Sequence, residues 1–192
     1  MPPPSARAHG RRGNMPPSII ASTVVFTGLC IALDVRTRRI PNVVTGPMMV
    51  LGAALNLFHG GLYGLVCALA GLLFTVVILL GPFALGGIGG GDVKMMAAVG
   101  ALLGPRLAFL GLGLGMILGG AIMILHLGRL GRLGQKLRAT AAMFSTAAVT
   151  GSLDPLRMSA DQPDAIALPY SVPLGLGTLA VLLLGQVAGG AS

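Results

Sequence analysis

The sequence predicts an all-α fold, a polytopic transmembrane helical bundle with about six membrane segments. Three observations predict it. Hydrophobic residues make up 54% of the chain and charged residues only 9%, whereas about a quarter of a soluble globular chain is charged. Apolar runs nearly free of charge recur along the sequence, at close to the roughly 20 residues that cross a bilayer as helix. Glycine supplies 31 of 192 residues; it weakens helices in water but allows close helix packing in lipid. The apolar–polar alternation of a membrane β-barrel is absent.

Residues 1–17 form a polar, Pro-rich tail expected to be disordered. Membrane segments are expected at 18–34, 43–58, 62–81, 92–104, 106–127 and 168–188. This makes 18–188 one membrane-embedded domain and 189–192 a short tail. The first segment follows Arg7, Arg11 and Arg12 as a signal-peptide core would. No A-x-A site closes it, and Thr27, Gly28 and Leu29 do not make a lipoprotein signal ahead of Cys30, so it reads as a retained helix. Met15, which opens Met-Pro-Pro-Ser, is an alternative start to Met1. The fourth segment is short, about 13 residues, and is expected to be entered from a loop partly buried among the other helices.

The longest non-spanning stretch is 128–167. It places Leu130, Leu133, Leu137, Ala141 and Phe144 at helical spacing beside Arg129, Arg132, Lys136 and Arg138. That is the pattern of an amphipathic helix on a lipid surface. The later part, with Asp154, Asp161 and Asp164, reads as loop.

A net charge of +8 could suggest nucleic acid, but the basic residues sit in short loops between apolar segments and aromatics are scarce. The expected partner is the lipid bilayer, with no nucleic acid. With the N-terminus outside, nine Lys/Arg fall on the inner side (Arg36, Arg38, Arg39, Lys94, Arg129, Arg132, Lys136, Arg138, Arg157) and four on the outer (Arg7, Arg11, Arg12, Arg106). The positive-inside rule then favours N-out. Cys30 and Cys67 lie inside apolar segments, so neither a disulfide framework nor a zinc site is available, and both read as packing residues.

The chain has no glutamate and five aspartates, of which only Asp34 and Asp92 border the membrane core. An Asp at a bilayer centre costs roughly 2.5–3.5 kcal/mol on insertion scales, and less toward the interface. In the N-out arrangement Asp34 ends the first helix and Asp92 begins the fourth at the same face. Two carboxylates at one depth can share a water: one, ionised, accepts a proton from it, and the other, protonated, polarises a scissile carbonyl.

Cys30, Thr27 and Thr23 step back from Asp34 as a weakly polar stripe, which aims it inward. The run Gly89, Gly90, Gly91 lets the chain turn sharply beside an extended peptide, and a Cβ at Gly91 would cost most if φ there were positive. The helix dipole would favour Asp92 as the anion. Taken singly, Asp34 beside Arg36, Arg38 and Arg39 reads as a solvated helix end, the glycine run as a connector, and Lys94 as a snorkelling interfacial lysine. Their joint occurrence at one depth favours a site.

At these residues the chain resembles the type IV prepilin peptidases, in the short form serving Tad/Flp pilus systems. The first motif is Asp34, Arg36 and Ile40-Pro41-Asn42; the second is Gly89-x-Gly91-Asp92 followed by Lys94, a signature shared with presenilin-type intramembrane proteases. The resemblance covers roughly 18–188. It implies an aspartic endopeptidase of the inner membrane that cleaves prepilin or pseudopilin leaders at the cytoplasmic face. Asp34 and Asp92 would be its catalytic pair, and it would need no metal or organic cofactor. Long family members also methylate the new N-terminus through a domain with paired Cys-x-x-Cys motifs; this chain lacks those motifs, so methylation is not expected. The rivals are a small ion-coupled transporter, for which no paired repeat is visible, and a non-catalytic membrane scaffold. For the scaffold, Gly111, Gly115 and Gly119 would be a partner-binding stripe, although they read better as packing within the bundle.

Overall fold

The computed structural model describes residues 15–84, 87–129 and 170–190, with residues 131, 134, 138 and 142. Over these residues the protein is all-helical. Its helices are α1 (Pro17–Thr37), α2 (Asn42–Ala84), α3 (Gly90–Arg129) and α4 (Ser171–Gly190). The first three are long and apolar enough to cross a membrane; α4 carries a shorter apolar stretch, Ser171–Gln186. The expected amphipathic helix and the loop aspartates lie for the most part outside the described residues.

Two of these helices are too long to be straight spans. At about 1.5 Å per residue, α2 with 43 residues would run about 65 Å, twice the hydrocarbon thickness of a bilayer. Each is broken at a glycine with non-helical backbone: Gly61 (φ 59°, ψ −149°) in α2 and Gly104 (φ 74°, ψ 175°) in α3. Side chains rarely adopt a positive φ, which is why glycine stands at both breaks. At Gly61 the chain reverses, for a Cβ on Gly64 would fall on the backbone carbonyl of Asn56, two turns back. A straight helix would hold those positions about 12 Å apart. The breaks coincide with the expected boundaries between segments two and three and between segments four and five.

The break in α3 leaves backbone carbonyls without donors, because Pro105 has no N–H and Gly104 departs from the helix. Asn56 of α2 supplies the missing donor: its Nδ2 lies 3.0 Å from both the Ala101 and the Leu102 carbonyl oxygens. In a medium without water, unpaired carbonyls would cost several kcal/mol. An asparagine inside an otherwise apolar segment is therefore a cap delivered from a neighbouring helix.

The core is the first half of α3. Every residue from Met95 to Gly104 is buried, enclosed by both halves of α2. The seam with α2 is glycine on glycine: a Cβ at Gly71 would fall on the Gly100 carbonyl, and one at Gly100 on the Gly71 carbonyl. Without a hydrophobic drive between helices in lipid, such close backbone packing is what holds spans together. The second half of α3 packs on α4 through Gly111, Gly115 and Gly119, all buried, against Thr178, Leu174 and Pro173. That glycine ladder is internal packing. The outer surface is apolar, with Val50, Phe58, Leu62, Tyr63, Leu73 and Val77 of α2 all exposed; on a soluble protein an apolar surface of this extent would drive aggregation.

Observed boundaries differ by a few residues from those expected. The first helix begins at Pro17, inside the expected tail, and the last runs to Gly190. Helix ends fray, and a Pro at the first position needs no donor.

Candidate functional site

Asp34 lies in the last turn of α1, which ends because Arg38 turns left-handed (φ 51°, ψ 26°) and donates its backbone N–H to the Asp34 carbonyl oxygen at 2.8 Å. The chain then enters α2 through Ile40-Pro41-Asn42. Pro41 caps the new helix, its carbonyl accepting from the Val44 and Thr45 amides at 3.1 and 3.4 Å. A proline also holds the residue before it extended, and this turns the Ile40 side chain into the core, where it is 7% exposed.

Asp92 stands at the start of α3, 7% exposed. Gly89 caps that helix, accepting from the Asp92 and Val93 amides at 3.1 and 3.3 Å. The Asp92 carboxylate in turn takes the Gly89 backbone N–H, the half of a capping box that an acid at the third helical position supplies. Asp34 and Asp92, far apart in sequence, lie within electrostatic reach of each other. The Cys30 sulfur, one turn below Asp34, lies within reach of both. Among the described residues these are the only acidic side chains. The stripe beneath Asp34 is inward-facing as expected: Thr23, Thr27 and Cys30 are each 0% exposed.

The two sequence motifs interlock. An added Cβ on Gly91 would lie 3.3 Å from the Ile40 Cβ, and the Lys94 Nζ donates to the Asn42 Oδ1 at 2.8 Å on the exposed side. Gly89 keeps the approach to Asp92 open; a Cβ there would lie 3.3 Å from Oδ2. Arg36, in the last turn of α1, and Pro41, on the connection to α2, are both exposed. The condition of a positive φ at Gly91 does not hold. Gly91 is in the first turn of α3, and the positive-φ glycines among the described residues are Gly61, Gly104 and Gly131. What limits a side chain at 91 is the nearness of Ile40, not backbone strain.

One residue at the site carries no signal in the sequence. Ser171, the first residue of α4, is fully buried, and its Oγ lies 2.5 Å from the Asp34 Oδ2. Among the described residues no group of three or more His, Cys, Asp or Glu side chains converges as metal ligands would. A cleft lined by Met15, Pro17, Val24, His59 and Gln186 opens at the other end of α1, remote from the carboxylates.

The fold and this carboxyl pair are those of a helical membrane protein in which the two described acidic groups, Asp34 and Asp92, come near each other. The sequence profile of the type IV leader peptidase family matches residues 21–124, which span both motifs, and the chain belongs to that family. It is accordingly a membrane peptidase whose substrates are prepilins. Comparison with curated proteins and with solved structures gave no match.

Proposed function

We propose that the protein is an aspartic endopeptidase that removes the leader of small Tad/Flp-type prepilins, or of pseudopilins, at the cytoplasmic face of the inner membrane. Asp34 and Asp92 are its catalytic pair. The observation that carries this reading is that the only two carboxyl side chains among the described residues belong to separate helices and come within electrostatic reach of each other. Two such groups cannot both ionise easily and divide one proton between them.

In the first step the ionised carboxylate takes a proton from a bound water. The resulting hydroxide oxygen bonds to the scissile carbonyl carbon while the protonated carboxyl gives its proton to the carbonyl oxygen. In the second step the tetrahedral intermediate collapses. The C–N bond breaks, the leaving nitrogen takes a proton from the carboxyl that gained one, and the other carboxylate recovers its own. The pair returns to its starting state with one water consumed, and no cofactor is required. Gly89 keeps a side chain away from the Asp92 carboxylate, where the peptide must approach. The Ile40–Gly91 contact and the Lys94–Asn42 hydrogen bond hold the two carboxylate-bearing segments in register.

Counting each half of α2 and α3 as a crossing gives six spans with α1 and α4, and the lysine–arginine asymmetry puts the carboxyl end of the bundle in the cytoplasm. The amphipathic pattern after Arg129 would then lie against the inner leaflet. Methylation of the product is not part of the proposal.

The test is Asp34→Asn and Asp92→Asn, each co-expressed with a small Flp-type prepilin. Precursor and mature forms are read on one blot, and membrane insertion is checked in parallel. Both substitutions should leave only precursor. Near-normal maturation in either variant would sink the assignment.

A further inference from the structure

Ser171 lies outside both motifs and outside the stretch matched by the leader peptidase family, yet its hydroxyl is 2.5 Å from the Asp34 Oδ2. The seam between α1 and α4 places it there. Ser171 and Gly175 share one face of α4; Asp34, Ile31 and Thr27 share one face of α1. A Cβ on Gly175 would come within 2.7 Å of the Ile31 Cδ1 and 2.9 Å of the Thr27 Cγ2. The helices are thus in close contact one turn below the hydrogen bond. It is 0% exposed, so no water competes for Asp34 from its side.

We infer that Ser171 is a positioning residue that holds Asp34 as the ionised, water-activating member of the pair and leaves the shared proton on Asp92. The serine donates to the Asp34 Oδ2 at 2.5 Å, and such a bond is strongest, in the short charge-assisted class, when the carboxylate is ionised. The dipole at the start of α3 favours an anion at Asp92, but the start of α4 does the same for Asp34, and the two offset. Each carboxylate also takes one donor, the Gly89 N–H on Asp92 and the Ser171 hydroxyl on Asp34; what remains unequal is access to water, Asp34 being partly exposed and Asp92 7% exposed. That exposure favours charge at Asp34, and the Ser171 hydroxyl is the donor that holds it there. This division of roles rests on the aspartic peptidase reading above.

The experiment uses the full chain in liposomes, with a purified Flp-type prepilin as substrate, and measures kcat and KM across pH. Ser171→Ala should lower kcat roughly tenfold or more with KM changed less than about twofold. Losing a donor to the ionised form should also move the acidic limb of kcat/KM up by about one pH unit. A merely structural serine would lower activity without moving that limb. Ser171→Thr and Ser171→Val, nearly equal in volume, decide the matter even if the alanine variant fails to accumulate. Thr should keep the wild-type profile and Val should show the shift. Equal behaviour of Thr and Val, or an unmoved limb in Ala and Val, overturns the role of Ser171. With Asp34→Asn inactive, that result leaves the peptidase reading standing; an active Asp34→Asn would instead remove the reading on which the inference rests.

Discussion

Replacing Gly91 with valine probes how tightly the two motif segments must be held. A Cβ at 91 would lie 3.3 Å from the Ile40 Cβ, 3.4 Å from its Cγ1 and 3.5 Å from its backbone nitrogen. Carbon atoms pack best at about 3.5–4.0 Å. Alanine therefore needs a few tenths of an ångström of give, which a side chain can supply. Valine adds two further carbons that a helix confines to essentially one rotamer, against an isoleucine 93% removed from the surface. The Ile40–Asn42 turn or the start of α3 must then move by about 1 Å. Overpacking of this kind costs about 1–3 kcal/mol, too little to unfold a bundle. Because Asp92 is the next residue, the same displacement at the site costs on the order of a hundredfold in rate.

The assay is single-turnover leader cleavage in liposomes, with expression level and thermal melting measured on the same preparations. Gly91→Ala should lose less than about tenfold and Gly91→Val about a hundredfold, with melting little changed. Adding Ile40→Ala to Gly91→Val makes room and should restore part of the loss, a coupling that independent sites would not show. Gly87→Ala is the control: its Cβ would meet only the Pro82 carbonyl, at an ordinary 3.4 Å. Gly91→Val within threefold of wild type, or no recovery on removing Ile40, would refute the argument and make the glycine run a connector.

Two further outcomes test the fold. Gly100→Ala should destabilise the bundle, because its Cβ would fall on the Gly71 carbonyl and 2.8 Å from the Thr75 Oγ1; the cost should reach about 3 kcal/mol or more, read as a lower melting temperature, while Gly113→Ala, with nothing within 4 Å, should melt like wild type. In the proposed orientation a cysteine at position 60, beside the α2 break, should react with an impermeant reagent only from the outer side on a Cys30→Ser, Cys67→Ser background, and labelling only from the cytoplasmic side would reverse the topology.

The helical fold was legible because lipid imposes one requirement that sequence displays directly: a span must be apolar throughout its length. The two carboxylates were legible for the converse reason, since an acid beside the membrane core is costly and stands out against an apolar background. The breaks were partly visible as Gly60-Gly61 and Gly104-Pro105 between apolar runs. The burial of the fourth segment was less so, because a helix apolar all round looks the same whether lipid or protein surrounds it. The reason for glycine at 91 was not legible, because a sequence shows the absence of a Cβ but not what stands where the Cβ would be.

Asn56 and Ser171 mark where reading along the chain stops. Asn56 had a trace: one amide in an apolar run, and a Gly-Pro elsewhere that must strand carbonyls. Pairing them requires knowing that α2 passes the break in α3. Ser171 had none, because a serine at a helix start is so common that its ordinary explanation, local backbone bonding, is sufficient. Its hydroxyl instead spans from the last helix to the first, closing the bundle at the carboxyl pair. The parts of the site then separate by physical cause. The acids are costly in lipid and so are visible; the contacts that aim them cost nothing locally, and their meaning appears only when α1, α3 and α4 meet.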